Sequence, residues 1–122
     1  MDIVLEERPS TMDAIDRVHL ATYTMGDPAL EREILILFRD SLRDHLLQLH
    51  GAVGNPELWT RLTHTIKGSA RGVGAFALGS AAEAAEHARD HDTMRQRDHI
   101  AAVRAQADRV FEAIVAMTPV DA

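Results

Sequence analysis

The sequence predicts an all-α fold, an antiparallel up-down four-helix bundle with an additional N-terminal helix, on three observations. Apolar residues recur at three- and four-residue steps over long stretches, the stripe of a core-facing helix. Cap residues, prolines and glycines punctuate those stretches where helices start and stop. No convincing alternating apolar–polar run marks a strand. Composition agrees, since 46% of residues are hydrophobic but only 4% aromatic. The core must come from Leu, Ile, Val, Ala and Met, which suits packed helices. With 122 residues the chain is long enough for one domain with a real core.

Five segments follow in order. The first helix is expected from about Thr11 to Thr24, capped by Ser10 or Thr11, with Asp13 near its positive end and Ile15, Val18 and Thr22 on one face. "GDPAL" then breaks the chain and restarts it, with Asp27 as cap and Pro28 at the first helical position. From there to about His50, the residues Leu30, Ile34, Leu37, Phe38, Leu42, Leu46 and Leu49 give a core stripe, closed by Gly51 and Gly54. Asn55 and Pro56 repeat the start signal for a third helix, which Gly72 and Gly74 end. An alanine-rich fourth helix is expected from about Ala75 to Arg89. "DHDT" is a turn with Asp92 or Thr93 as the next cap. The fifth helix runs to about Met117, with Ile100, Val103, Ala107, Val110, Phe111 and Ile114 on one side and Pro119 beyond it. Short loops favour antiparallel neighbours. The alanines of "AFALGSAAEAAEHA" would let the third and fourth helices approach closely. Met12, Met25, Met94 and Met117 read as filler at the bundle ends.

Charge and composition exclude several functions. The formal net charge is −6, a poor match for nucleic acid or an anionic membrane, which both want a basic field. There is no cysteine, hence no disulfide and no thiolate chemistry. The segment "MDIVLEERPS" lacks the basic and long apolar parts of a signal peptide, and no apolar run approaches ~20 residues. A cytoplasmic location is expected.

The third helix carries the candidate chemistry. At about 100° per residue, Leu58, Trp59, Leu62, Ile66, Ala70 and Val73 fall opposite His64 and form a core stripe. Arg61, Lys67, Gly68 and Arg71 lie within roughly 60° of His64, on the outward face. Three nearby cations disfavour imidazolium and leave a ring lone pair available as a nucleophile. The same cations would stabilise a phosphoryl group once it is attached. Gly68, one turn on, removes the side chain that would stand beside the ring, at about 1 kcal/mol relative to alanine. That makes sense if a large partner must reach the imidazole. Simpler readings compete. His64 could be a plain solvated side chain, Gly68 and Gly72 could serve close helix packing, and Lys67 and Arg71 could pair with acids on the same or a neighbouring helix.

The stretch "HTIKGSARGVGAFALGSAAEAAE" resembles the signature of histidine-containing phosphotransfer (HPt) domains. Their pattern is matched by His64, Ile66, Lys67, Gly68, Ser69 and Ala70, then Gly74 and Ala75, then Leu78 and Glu86. "MGDPALEREILILFRDSL" is similar to the family's second helix. Ile66 stands where Leu is commoner, and Ala85 where a larger aliphatic is usual. The resemblance implies a tail at 1–10, an HPt bundle over 11–118 and a tail at 119–122. It implies a phosphorelay carrier that accepts a phosphoryl group from a receiver-domain aspartate on His64 and passes it to another receiver. In the family the distal ring nitrogen carries the phosphate. Lys67 would contact phosphate oxygens, Gly68 would admit the receiver, and Arg71 and Arg61 would supply positive potential or partner contacts. The resemblance also implies a monomer without a cofactor of its own, the Mg²⁺ belonging to the receiver. "KGSARGVG" lacks the spacing of a nucleotide loop, so the chain is not expected to phosphorylate itself from ATP.

Two other readings remain open. A docking adaptor would bind receivers without carrying phosphate. A metal-binding bundle would use Glu83, His87 and His91, which are spaced by one helical turn each, although the paired Glu-x-x-His of di-iron bundles is absent. His45, His50, His87, His91 and His99 read more simply as polar surface, and Trp59 as packing.

Overall fold

The computed structural model describes residues 13–119 and contains five helices: α1 (Arg17–Thr24), α2 (Pro28–His50), α3 (Pro56–Gly72), α4 (Phe76–Glu86) and α5 (Thr93–Met117). No strand occurs among the described residues. Helices α2 to α5 form the antiparallel bundle. Helix α3 packs on α2 and α4, and α5 packs on the same two, so α3 and α5 lie on a diagonal. Helix α1 rests on α2. No helix of the described residues is long and apolar enough to cross a membrane.

The starts of the long helices follow from their caps. Asp27 Oδ1 accepts from the backbone N–H of Ala29 and Leu30, and Asn55 Oδ1 from that of Leu58. Asp92 Oδ1 accepts from Arg95 N–H. Each satisfies donors that the first helical turn leaves unpaired. Helix α1 starts later than expected. Residues 13–15 form a bend, and the cap is Asp16, whose carboxylate accepts from Val18 and His19. Ser10 and Thr11 lie outside the described residues. Leu20 and Thr24, one turn apart, face inward with Ile15, while Val18 is 79% exposed and Thr22 is also outside.

The core joins Leu35, Phe38, Leu42, Leu46 and Leu49 of α2 to the expected α3 stripe and to Ile100, Val103, Ala107, Val110 and Ile114 of α5. Leu35, not Leu37 or Leu30, begins the α2 stripe, and the latter two are exposed. Phe111 and Leu58 pack only at its edge. Helix α4 is shorter than expected, ending at Glu86. The methionines Met25 and Met94 are exposed rather than filling the bundle ends. Met25 caps α1 in the left-handed region (φ 52), which directs it off the helix end.

Two buried polar groups fix how the helices meet. Trp59 is fully buried, and its Nε1 donates to the Ala85 carbonyl at 2.6 Å. With so little bulk at position 85, the indole reaches the α4 backbone. Gln96 is 1% exposed. Its Nε2 donates to the carbonyls of Ala88 and Arg89, and its Oε1 accepts from Gly54 N–H. One side chain thus ties the α2–α3 loop, the α4–α5 turn and the start of α5. Burying these groups unpaired would cost about 1–3 kcal/mol each.

Candidate functional site

The register of the α3–α4 hairpin creates the site. Helix α3 ends in a Schellman turn: Ala75 N–H donates to Ala70 O at 2.8 Å and Gly74 N–H to Arg71 O at 3.2 Å. Gly74 has φ +88, a conformation that favours glycine. Residues at similar distances on either side of that turn face one another. His64 stands ten residues before Gly74, and Glu86 eleven after Ala75. Their side chains meet, with His64 Nδ1 3.1 Å from Glu86 Oε2.

Glu86 is shared. Lys67 Nζ donates to its other oxygen at 2.8 Å. Lys67 and Glu86 are 18% and 19% exposed, whereas the His64 side chain is 66% exposed. The hydrogen bond from Lys67, then that from His64, hold the Glu86 carboxyl below its ordinary range, against partial burial, which raises it. The group is therefore ionised at neutral pH and can only accept. Nδ1 of His64 must be the donor. In the neutral ring the lone pair then falls on Nε2, the nitrogen turned away from Glu86.

One turn on, Arg71 NH2 donates to Glu83 Oε1 at 2.7 Å. A Cβ at Gly79 would stand 2.9 Å from Arg71 Cγ. Gly79 thus lets the arginine stem lie flat on α4. This ion pair holds the Glu83 carboxyl down in turn. It also takes the carboxylate from the candidate metal face, and among the described residues no three His, Asp or Glu side chains gather to hold a metal. His91 instead lies against His99, ring centroids 6.4 Å apart.

The expected face is therefore modified in one respect. Lys67 and Arg71 do pair with acids of the neighbouring helix, so the ring stands among balanced charges rather than three bare cations. Of the three cations around His64, Arg61 alone has no carboxylate partner among the described residues. In the sequence Glu86 stands only as a position of the matched motif and Glu83 only as a candidate metal ligand; their pairing with His64, Lys67 and Arg71 emerges on counting outward from the Gly74 turn. Gly68 is exposed, and a Cβ there would meet nothing within 4 Å; the same holds at Gly72. Helix packing within the chain requires neither glycine.

Replacing Glu86 with glutamine should leave the bundle folded. On the phosphocarrier role that the resemblance implies, it should slow phosphoryl acceptance at the ring by about 10–100-fold, the worth of one charge-assisted hydrogen bond of ~1.5–3 kcal/mol felt in the transition state. Because its carboxyl is held low in the fold, Glu86 contributes stability above its ordinary range, and that stability is lost as pH falls through the lowered value. The acid limb of a thermal-stability profile should therefore flatten in the variant. An unaltered rate and an unaltered acid limb would together rule out this role.

The bundle thus displays one oriented imidazole on its outer surface, with a cleared turn beside it. The family model described as Hpt domain matches residues 33–113, and the chain belongs to that family. No curated protein and no solved structure matches it. Domains of this family serve histidine phosphotransfer in phosphorelays and interact with receiver domains of two-component systems.

Proposed function

We propose that this chain is a phosphorelay intermediate in which His64 Nε2 takes the phosphoryl group from a receiver aspartyl phosphate and delivers it to a second receiver. The observation that carries this reading is the His64–Glu86 hydrogen bond, which leaves the lone pair on the solvent-facing nitrogen. The Nε2 lone pair attacks phosphorus in line, the N–P bond forms, and the bond from phosphorus to the acyl oxygen breaks, returning the receiver carboxylate. The proton stays on Nδ1, so the ring becomes cationic and the Glu86 carboxylate stabilises it. Delivery reverses these steps, and the ring departs already in its neutral tautomer.

Lys67 has three N–H donors, of which Glu86 occupies one, so it can contact a phosphate oxygen without leaving its partner. Gly68 gives the receiver loops access. Arg71, tethered to Glu83, and Arg61, which has no carboxylate partner among the described residues, add positive potential at the rim. Mg²⁺ enters with the receiver, and the chain itself needs no cofactor and no ATP. We assign it as a cytoplasmic monomer that engages neither membrane nor nucleic acid. A docking adaptor has no use for a carboxylate that fixes a tautomer, which favours the carrier.

The test is phosphotransfer from a panel of phosphorylated receivers and hybrid kinases to the wild type and to His64→Gln. Acid-labile, base-stable label should appear on the wild type alone. Equal labelling of both would overturn the assignment of His64. A receiver that binds the wild type without labelling it would favour the adaptor.

A further inference from the structure

The edge of the bundle between α2 and α5 lies across the molecule from the α3–α4 edge that carries His64. Two neighbouring concavities run along it. One, of about 290 Å³, is lined by His50, Val53, Arg97, Ile100, Ala101 and Arg104. The other, of about 330 Å³, is lined by Arg43, Leu46, Leu47, Arg104, Asp108 and Phe111. Arg104 lines both, and the two lie end to end in the groove, or trough, where α2 packs on α5. Its floor is apolar and its rim is basic, in a chain of net charge −6. Arg97 has no carboxylate partner among the described residues. Arg104 is only loosely paired with Asp108, at 3.9 Å, and half exposed. The Arg43 guanidinium lies over the Phe111 ring, 5.6 Å from its centroid, and not on an acid. Leu47 stands 72% exposed on the rim.

We infer that this trough is a second docking surface, and that its occupant is an acidic amphipathic helix of a partner protein. The stretch from Arg97 to Phe111 spans about 21 Å at 1.5 Å per residue, the length of a four-turn helix. A helix with leucine-type residues at i, i+3, i+4 and i+7 would fill the floor, and flanking carboxylates would meet the arginines of the rim. Charge complementarity of this kind selects the partner and speeds its arrival. A flat anionic bilayer does not enter a concave trough, and the net negative charge of the chain opposes it. Because the trough and His64 are on opposite edges, a partner held here leaves the ring free. The chain could thus be tethered while it exchanges phosphate, which raises the effective concentration of whatever the tether brings. This inference does not depend on the chemistry of His64.

The test uses the full chain and a fluorescein-labelled 14-residue peptide with leucines at i, i+3, i+4 and i+7 and glutamates elsewhere. A second peptide carries lysines in place of the glutamates. The acidic peptide should bind saturably, and the lysine peptide should not. Arg97→Glu/Arg104→Glu, and separately Leu47→Glu, should weaken the acidic peptide by about tenfold or more at unchanged helical circular dichroism. His64→Gln should bind it like the wild type. No saturable binding, equal binding of both peptides, or indifference to the substitutions would overturn the inference. So would competition by phosphatidylserine vesicles, which would make the surface a membrane site instead.

Discussion

Replacing Gly68 with glutamine is expected to raise the thermal midpoint by roughly 2–6 °C while cutting phosphoryl acceptance by His64 at least about a hundredfold. The two changes have separate causes. A side chain at this mid-helix position gains about 0.5–1 kcal/mol by reducing the freedom of the unfolded chain, and each kilocalorie moves the midpoint of a domain this size by about 4 °C or more. Nothing in the fold opposes it, because a Cβ at Gly68 meets no atom within 4 Å. The penalty falls on the partner alone. A glutamine one turn from His64 stands where the receiver must approach, and a displacement of about 1 Å from in-line geometry is enough for a hundredfold loss. Thermal unfolding and a phosphotransfer time course on the same preparation read both effects. Unimpaired transfer would remove the case for access through Gly68. A fall in the midpoint would mean that the glycine serves the fold after all.

The largest loss of stability is expected at Gly74. Alanine there must adopt φ near +88, which costs an L-residue about 1–2 kcal/mol. Its Cβ would also stand 2.7 Å from the Asp16 carbonyl oxygen and 3.2 Å from the Asp16 nitrogen. Those are backbone atoms and cannot swing aside. Asp16 N–H donates to Gly74 O at 2.9 Å, so relieving the clash breaks the bond that holds the start of α1 on the α3–α4 turn. Together these amount to about 2–4 kcal/mol, a midpoint lower by roughly 8–16 °C. Circular dichroism on heating Gly74→Ala tests it, and a midpoint within a degree of wild type would show that this contact contributes nothing.

What could be read from the sequence divides by mechanism. Helix starts governed by one local side chain were legible: Asp27 before Pro28, Asn55 before Pro56, and Asp92. So was the outward face of α3, because its apolar stripe is unambiguous. The α2 stripe was legible from Phe38 through Leu49, but its start was misplaced because residues 34–38 are apolar all round, and periodicity cannot choose between Leu35 and Leu37 there. The end of α1 at Thr24 was legible, but its start was misplaced because several residues near it could cap, and only the tertiary contact of Asp16 with Gly74 selects among them. The carboxylates of the site were missed for a related reason. The partner of His64 lies 22 residues away, beyond any helical period, and appears only when the hairpin is closed. The role of Gln96, which spans three segments, is likewise invisible before they are assembled.

The Schellman turn at Gly74 acts as a gauge of chain length. One residue added or removed between His64 and Glu86 would rotate the carboxylate by about 100° around α4 and carry it off the imidazole. The turn between α4 and α5 lies outside that interval, so changes of length there leave the pair in register. Drift in length over generations should therefore concentrate after Glu86 and spare the 22-residue span before it.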